Sequence, residues 1–360
     1  MSRTRRGRLM NRTSSLPEVW FAVPGDPETL TGGYIYAKRL SAALRALGWT
    51  VHATALPGGY PNPSPDDIAQ TQDVLRGLPA GATVLIDGLA FGAFTPAVLA
   101  GVNLNISALV HHPLALETGL TPVQAEAFAR REREALQAAH AIIATSPHTA
   151  GVLAADYDVP PGKLTVAPPG TDPRARAQGT PRKPSLLTVA TVTPRKAHDV
   201  LVAALAQLAD LAWTSTIAGS LSRAPATAAA LRAQIARSGV AERITLTDEL
   251  SDDALAHLYS GADVFVLPSR YEGYGMVFAD ALAYGLPIVA CAAGAVEGTV
   301  PKDASILVPT DDAGALAGAV RDLLTHSDKR RRMADAAWSA GQTLPRWHDT
   351  AAIVANALKG

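Results

Sequence analysis

Short apolar runs alternate along this chain with longer stretches whose apolar positions recur every three or four residues. The first pattern is that of a strand buried on both faces, the second that of an amphipathic helix. In the first half, runs at 19–23, 50–53, 83–87, 106–110 and 141–144 predict strands. Helical spacing fills 34–47, where Ile35, Leu40, Leu44 and Leu47 share a face, and 122–140. The pattern breaks between Pro168 and Pro184, a stretch rich in Pro, Gly, Arg and Thr without apolar period. It then restarts, with strands expected at 185–190, 214–218, 244–246, 263–267 and 287–291. Helices are expected at 197–208, 226–238, 252–260 and 313–324. Strands separated by helices imply parallel sheets with crossover connections, so the expected fold class is α/β. Two similar units, 16–170 and 185–344, joined by a linker at 171–184, would face each other across a cleft. A length of 360 residues suits two such cores better than one.

Open α/β sheets bind ligands beyond the carboxyl ends of their strands. After the strand at 263–267 the chain reads YEGYGMVFAD from Tyr271 to Asp280: a glycine-punctuated loop carrying Glu272, then a helix whose second turn presents Asp280. Gly273 and Gly275 permit tight or positive-φ backbone and close approach to a ligand. The N–H groups of Met276 and Val277 would open the helix and offer a seat for phosphate. Two carboxylates eight positions apart thus flank an anion site. A nucleotide-sugar would suit it, since a carboxylate grips a ribose diol or sugar hydroxyls through charge-assisted hydrogen bonds. Lys196, in TVTPRK directly after a strand, offers a cation for the diphosphate, although Arg195 and Lys196 taken alone read better as solvated loop charges.

Composition removes other readings. Basic and acidic residues number 32 each, which leaves no global argument for nucleic acid. The single cysteine, Cys291, lies in an apolar run and cannot form a disulfide within the chain; it reads as a small buried hydrophobe. The nine histidines show no close metal-ligand spacing, and Gly273-Tyr-Gly275 meets Phe278 where a dinucleotide fingerprint needs a third glycine. The charged stretch RRERE at 130–134 reads as a solvated helix face. No stretch reaches the ~20 apolar residues of a membrane span. Residues 1–15 carry five arginines in the first twelve positions with no apolar segment behind them, and read as a disordered tail. Peripheral attraction of those arginines to an anionic membrane is the weaker reading, and a cytoplasmic protein is expected.

Several strings resemble those of family-4 glycosyltransferases, retaining enzymes of the GT-B fold within the glycosyl transferases group 1. The family signature resembles EGFGLxxxEAMACGLPVVA; this chain has EGYGMVFADALAYGLPIVA at 272–290. PPGTD at 168–172 is similar to the interdomain PNGxD segment, and VATVTPRKA at 189–197 to VGRLxPxKG. ADVFVLPS at 262–269 matches a family string directly, AGAVE at 293–297 is similar to GGxPE, and LVPTDD at 307–312 to LVPPGD. The resemblance covers most of the chain, in the family's order and spacing.

It implies two facing Rossmann-like domains, with the active site between them and the terminal helix at 345–360 packing back on the first. Glu272 would contact donor-sugar hydroxyls, and Asp280, at the position of the second family glutamate, would bind the ribose. Lys196 would neutralise the diphosphate, with Gly273, Tyr274, Gly275 and Met276 around it. Gly32 and Gly33 would bring the N-terminal loop against it. His111 best matches the family histidine beside the donor sugar, with His112 one position along as the second choice. The implied reaction moves a sugar from a nucleotide-diphosphate donor to an acceptor hydroxyl without metal or other cofactor.

Two departures stand out. Thr191 occupies the place of a family arginine, for which Arg195 is the candidate replacement, and Asp280 is one methylene shorter than glutamate. The acceptor, expected among 58–65, 88–94 and 114–120, cannot be read, nor can the base, expected near 247–251. Two rivals stay open: a sugar-phosphate synthase or phosphorylase of the same fold, and a nucleotide-sugar-binding protein without turnover.

Overall fold

The computed structural model describes residues 16–26, 32–180 and 183–359. The arginine-rich segment 1–15 and part of the loop before Gly32, including Thr31, lie outside the described residues. Two six-stranded parallel sheets form the frame. The first comprises β1 (Glu18–Pro24), β2 (Thr50–Leu56), β3 (Thr83–Asp87), β4 (Asn105–Val110), β5 (Ala141–Ala144) and β6 (Leu164–Val166), in the order β2-β1-β3-β4-β5-β6. The second comprises β7 (Ser185–Val189), β8 (Thr214–Ala218), β9 (Ile244–Thr247), β10 (Val264–Leu267), β11 (Ile288–Cys291) and β12 (Ser305–Val308). Its order, β12-β11-β10-β7-β8-β9, is that of a doubly wound Rossmann-like sheet.

The strands read as apolar runs because both faces are covered. Every residue of β10 and β11 is buried, and helices cover each sheet on both sides. β6 and β12 had no strand expected: β6 is only three residues and half-buried, and β12 buries only its two end residues. Between the two units, 168–184 holds no helix or strand among its described residues. The helix Trp347–Ala357 returns to the first unit. Its Ala351, Val354 and Ala355, with Leu358 just beyond, close a core that includes Val19, Phe21, Tyr36, Leu40 and Leu44.

Two expectations are corrected. Gly32 and Gly33 are not loop residues but open the helix Gly32–Ala46. The helix Pro122–Gln137 does not turn RRERE wholly to solvent: Glu132 is 1% exposed. Position 132 falls on the inward face of the 3.6-residue repeat, together with Phe128, Ala135 and Leu136.

Candidate active site

In the second sheet the winding reverses between β7 and β10, which are neighbours, so the loops leaving them diverge and open a crevice. Lys196 follows β7 and Glu272 follows β10. Their side chains meet across that crevice, Nζ to Oε1 at 2.5 Å, with 14% and 6% of each exposed. Burial and the adjacent Arg195 charge lower the Lys196 ammonium against the opposing pull of Glu272. Burial would raise the Glu272 carboxyl, but Lys196 and Arg195 outweigh it and hold it below its usual range. The turn Pro194–Lys196 is set by Ala197, which adopts φ 52 and ψ 40. An L-residue pays roughly 1–2 kcal/mol for that left-handed conformation, at the place where the resembling family string has glycine. The strain lies immediately beside Lys196.

Arg195 sits in the same cluster. Its Nη1 donates to the Tyr271 carbonyl at 3.0 Å and lies 3.5 Å from Glu272 Oε2. On its other side Nε donates to Glu117 Oε1 of the first domain at 3.1 Å. His112 Nε2 is 3.5 Å from the second oxygen of Glu117. Burial lowers the His112 pKa beyond what Glu117 restores, so the ring is neutral near pH 7.

From the first domain, His111 follows β4 and enters the crevice. Its Nε2 is 3.3 Å from Asp87 Oδ2, at the end of β3, without the alignment of a hydrogen bond. The other Asp87 oxygen accepts from Leu89 N at 2.8 Å, and a Tyr36 ring packs edge-on against the imidazole at 5.3 Å. A β-carbon on Gly33 would lie 3.4 Å from His111 Nε2, whereas Gly32 has no such neighbour. The buried Thr149 hydroxyl lies within reach of two carbonyls, His111 O at 3.3 Å and Gly273 O at 3.2 Å, and so joins the domains.

Gly273 passes so close to the first domain that a β-carbon there would lie 2.1 Å from the His111 carbonyl oxygen. Gly275 has φ +86 and starts the helix Met276–Ala283, whose N-terminus no side chain caps and whose first turn holds no acid. That end carries a partial positive charge beside the Lys196–Glu272 pair. Met276 packs against the first-domain core cluster, and the Tyr274 carbonyl is held by Thr299 at 2.8 Å.

Asp280 stands apart from this cluster, one helical turn further on. Burial pushes its carboxyl up to about 6, with Arg174 and Arg39 opposing and Asp172 reinforcing. Its neighbours therefore come from the linker and from the first-domain helix; Arg39 and Asp172 pair at 3.0 Å. Among the described residues no group of three or more His, Cys, Asp or Glu is placed to hold a metal, and no helix is long and apolar enough to cross a membrane.

Comparison with known proteins agrees with this layout. Residues 183–326 match the family described as "Glycosyl transferases group 1", and residues 86–175 match "Glycosyltransferase Family 4". The two matches thus place a family-4, group 1 glycosyltransferase domain in each unit of the chain. It is 30% identical over 241 residues to the D-inositol 3-phosphate glycosyltransferase of Xylanimonas cellulosilytica, covering 62% of this chain and 57% of that one. It is also 30% identical over 226 residues to the GDP-mannose-dependent alpha-(1-6)-phosphatidylinositol monomannoside mannosyltransferase of Mycobacterium tuberculosis, covering 56% and 57%. The chain thus spans little more than half the length of these curated relatives. Among solved structures, a sucrose-phosphate synthase from Thermosynechococcus elongatus superposes with TM-score 0.82 at 23% identity, covering 96% of this chain and 98% of that one. HepE of Anabaena, in complex with UDP-glucose, superposes with TM-score 0.77 at 15% identity, covering 95% and 99%. These likenesses show the GT-B fold.

Within this family-4 frame, His111, His112, Arg195, Lys196, Glu272 and Gly273 come together, with Gly33 at their edge. Asp280 forms a second station. Asp87 and Thr149 were not expected, and Glu117 only as an unnamed member of the acceptor-side segment 114–120. Asp87 ends a strand, the place where ligand-facing residues collect, and could have been found on that ground. Glu117 and Thr149 carry no local signal, since their partners lie 78 and 124 residues away.

Proposed function

We propose that this chain is a retaining glycosyltransferase that moves a sugar from a nucleoside-diphosphate sugar to an acceptor hydroxyl, without a metal ion. The observation that carries the reading is the buried Lys196–Glu272 pair at the switch point of the second sheet, facing His111 of the first domain. As the bond to the leaving diphosphate breaks, negative charge grows on its oxygens. Lys196, Arg195 and the uncapped helix end at Gly275–Met276 supply fixed positive charge where it develops. Glu272 and His111 orient the sugar hydroxyls, and Asp280 accepts from the ribose. The departing phosphate then takes the proton of an acceptor hydroxyl arriving on the same face, which retains the anomeric configuration. Joining of the two domains around the site keeps out the water that would hydrolyse the donor.

The donor follows from a panel of uridine, guanosine and adenosine diphosphate sugars, read by nucleotide release and thermal shift. Lys196→Ala should lower transfer at least ~100-fold, the scale of losing one oxyanion-type stabiliser. Near-normal turnover in that variant would remove Lys196 from the phosphate site. Donor binding with neither transfer nor slow hydrolysis would leave a binding protein in place of an enzyme.

A further inference from the structure

The charges at the switch point are already balanced. Arg195 and Lys196 face Glu117 and Glu272, and Arg195 touches both carboxylates, at 3.1 and 3.5 Å. If the proposed function holds, the donor brings a diphosphate, with its own negative charges, to the same two cations. All these anions cannot share them without one giving way.

Geometry decides which one yields. The Glu272 side chain is 6% exposed and held at 2.5 Å by Lys196. Its backbone is fixed as well, the carbonyl accepting from Ala295 N at 2.8 Å. Leaving a buried carboxylate without its cation is costly. The Glu117 side chain is 45% exposed and lies between the short turn Leu114–Leu116 and the helix that starts at Pro122. Besides Arg195, its oxygens meet the neighbouring Thr118 N–H at 3.0 Å and His112 at 3.5 Å. Turned toward solvent it exchanges these contacts, which hold its carboxyl down to about 2 against burial, for hydration.

We propose that Glu117 is a displaceable counter-anion that competes with the donor diphosphate for Arg195 and so sets donor affinity. Because Glu117 belongs to the first domain and Arg195 to the second, displacement also frees the 117–121 loop on the acceptor side. The donor's arrival is thereby communicated to the part of the cleft where the acceptor must enter.

The test is calorimetric titration of UDP, GDP and ADP into the unaltered protein, into Glu117→Gln and Glu117→Ala, and into both in an Arg195→Met background. Glu117→Gln keeps the shape of the side chain and one acceptor oxygen, removes its charge and turns the other oxygen into an amide donor. It should tighten the diphosphate that binds by about two- to five-fold, as expected from releasing a partly exposed ion pair, and Glu117→Ala should do the same. With Arg195→Met the gain should vanish. Affinity unchanged or weakened in Glu117→Gln overturns the inference, as does a gain that persists without Arg195. Loss in Glu117→Ala restored by Glu117→Gln shows a merely structural role and overturns it too. If the unaltered protein binds none of the three, the proposed function falls and this inference with it. If it binds and transfers while Glu117→Gln is unchanged, only the inference falls.

Discussion

A carboxylate that grips a ribose diol must be ionised to accept both hydroxyl hydrogen bonds. Asp280 is the residue proposed for that position, and burial pushes its carboxyl up to about 6. Donor affinity should therefore fall as pH is lowered through about 6, because protonation competes with the ribose. Asp280→Asn should bind donor more weakly and show no such dependence. Dissociation constants measured from pH 5 to 8 check this, and a flat profile for the unaltered protein would take Asp280 out of the ribose site. At this scale, Glu272, Lys196 and His111 were legible because each stands just past a strand, where chemistry and local pattern coincide. That Lys196 and Glu272 neutralise one another was not legible, since it depends on two crossovers of the sheet returning to one point.

The helix Pro122–Gln137 shows what periodicity settles and what charge obscures. Glu132 on its inner face accepts from the Leu114 N–H at 2.8 Å through one oxygen, while the other is buried without a partner. Burial pushes its carboxyl up to about 8, with the Leu114 bond opposing, so the folded protein keeps it protonated at neutral pH. An unfolded chain would release that proton near 4.5. Between these two values the folded state binds more protons than the unfolded, so stability should decline as pH rises from about 4.5 to about 8. Glu132→Gln should remove this slope and raise the melting temperature at pH 8, as thermal unfolding across that range would show; an unchanged slope would count against a buried neutral acid. Strand positions such as 83–87, 141–144 and 214–218 agree with the sequence reading to the residue, because their apolar runs are bounded by polar residues or turns. The inward turn of Glu132 was hidden because a run of charges carries no mark of which member faces the core.

At the scale of the molecule, the GT-B arrangement depends on how near the domains come, and Gly273 measures that distance. A β-carbon there would lie 2.1 Å from the His111 carbonyl oxygen and 3.1 Å from the His112 β-carbon. Since backbone on the opposite domain is in the way, Gly273→Ala should hold the domains apart. Transfer should fall by ~100-fold, the cost of misplacing reacting groups by about an ångström. Steady-state kinetics together with small-angle scattering would check it, and full activity at an unchanged radius of gyration would contradict it. This closeness could not be foreseen from the chain, because no local rule places Gly273 opposite His111.

The two strands of chain that join the domains run side by side. Thr171 N donates to the Pro345 carbonyl at 2.8 Å, Arg346 donates to the Thr171 carbonyl at 2.9 Å, and a β-carbon on Gly170 would lie 2.2 Å from Trp347 N. A body tethered at one point can swivel, slide or twist, but one pinned by two bonded tethers keeps a single easy rotation, about the line through both. The second domain is therefore hung like a gate: it can swing toward and away from His111, while sideways travel would tear the pins.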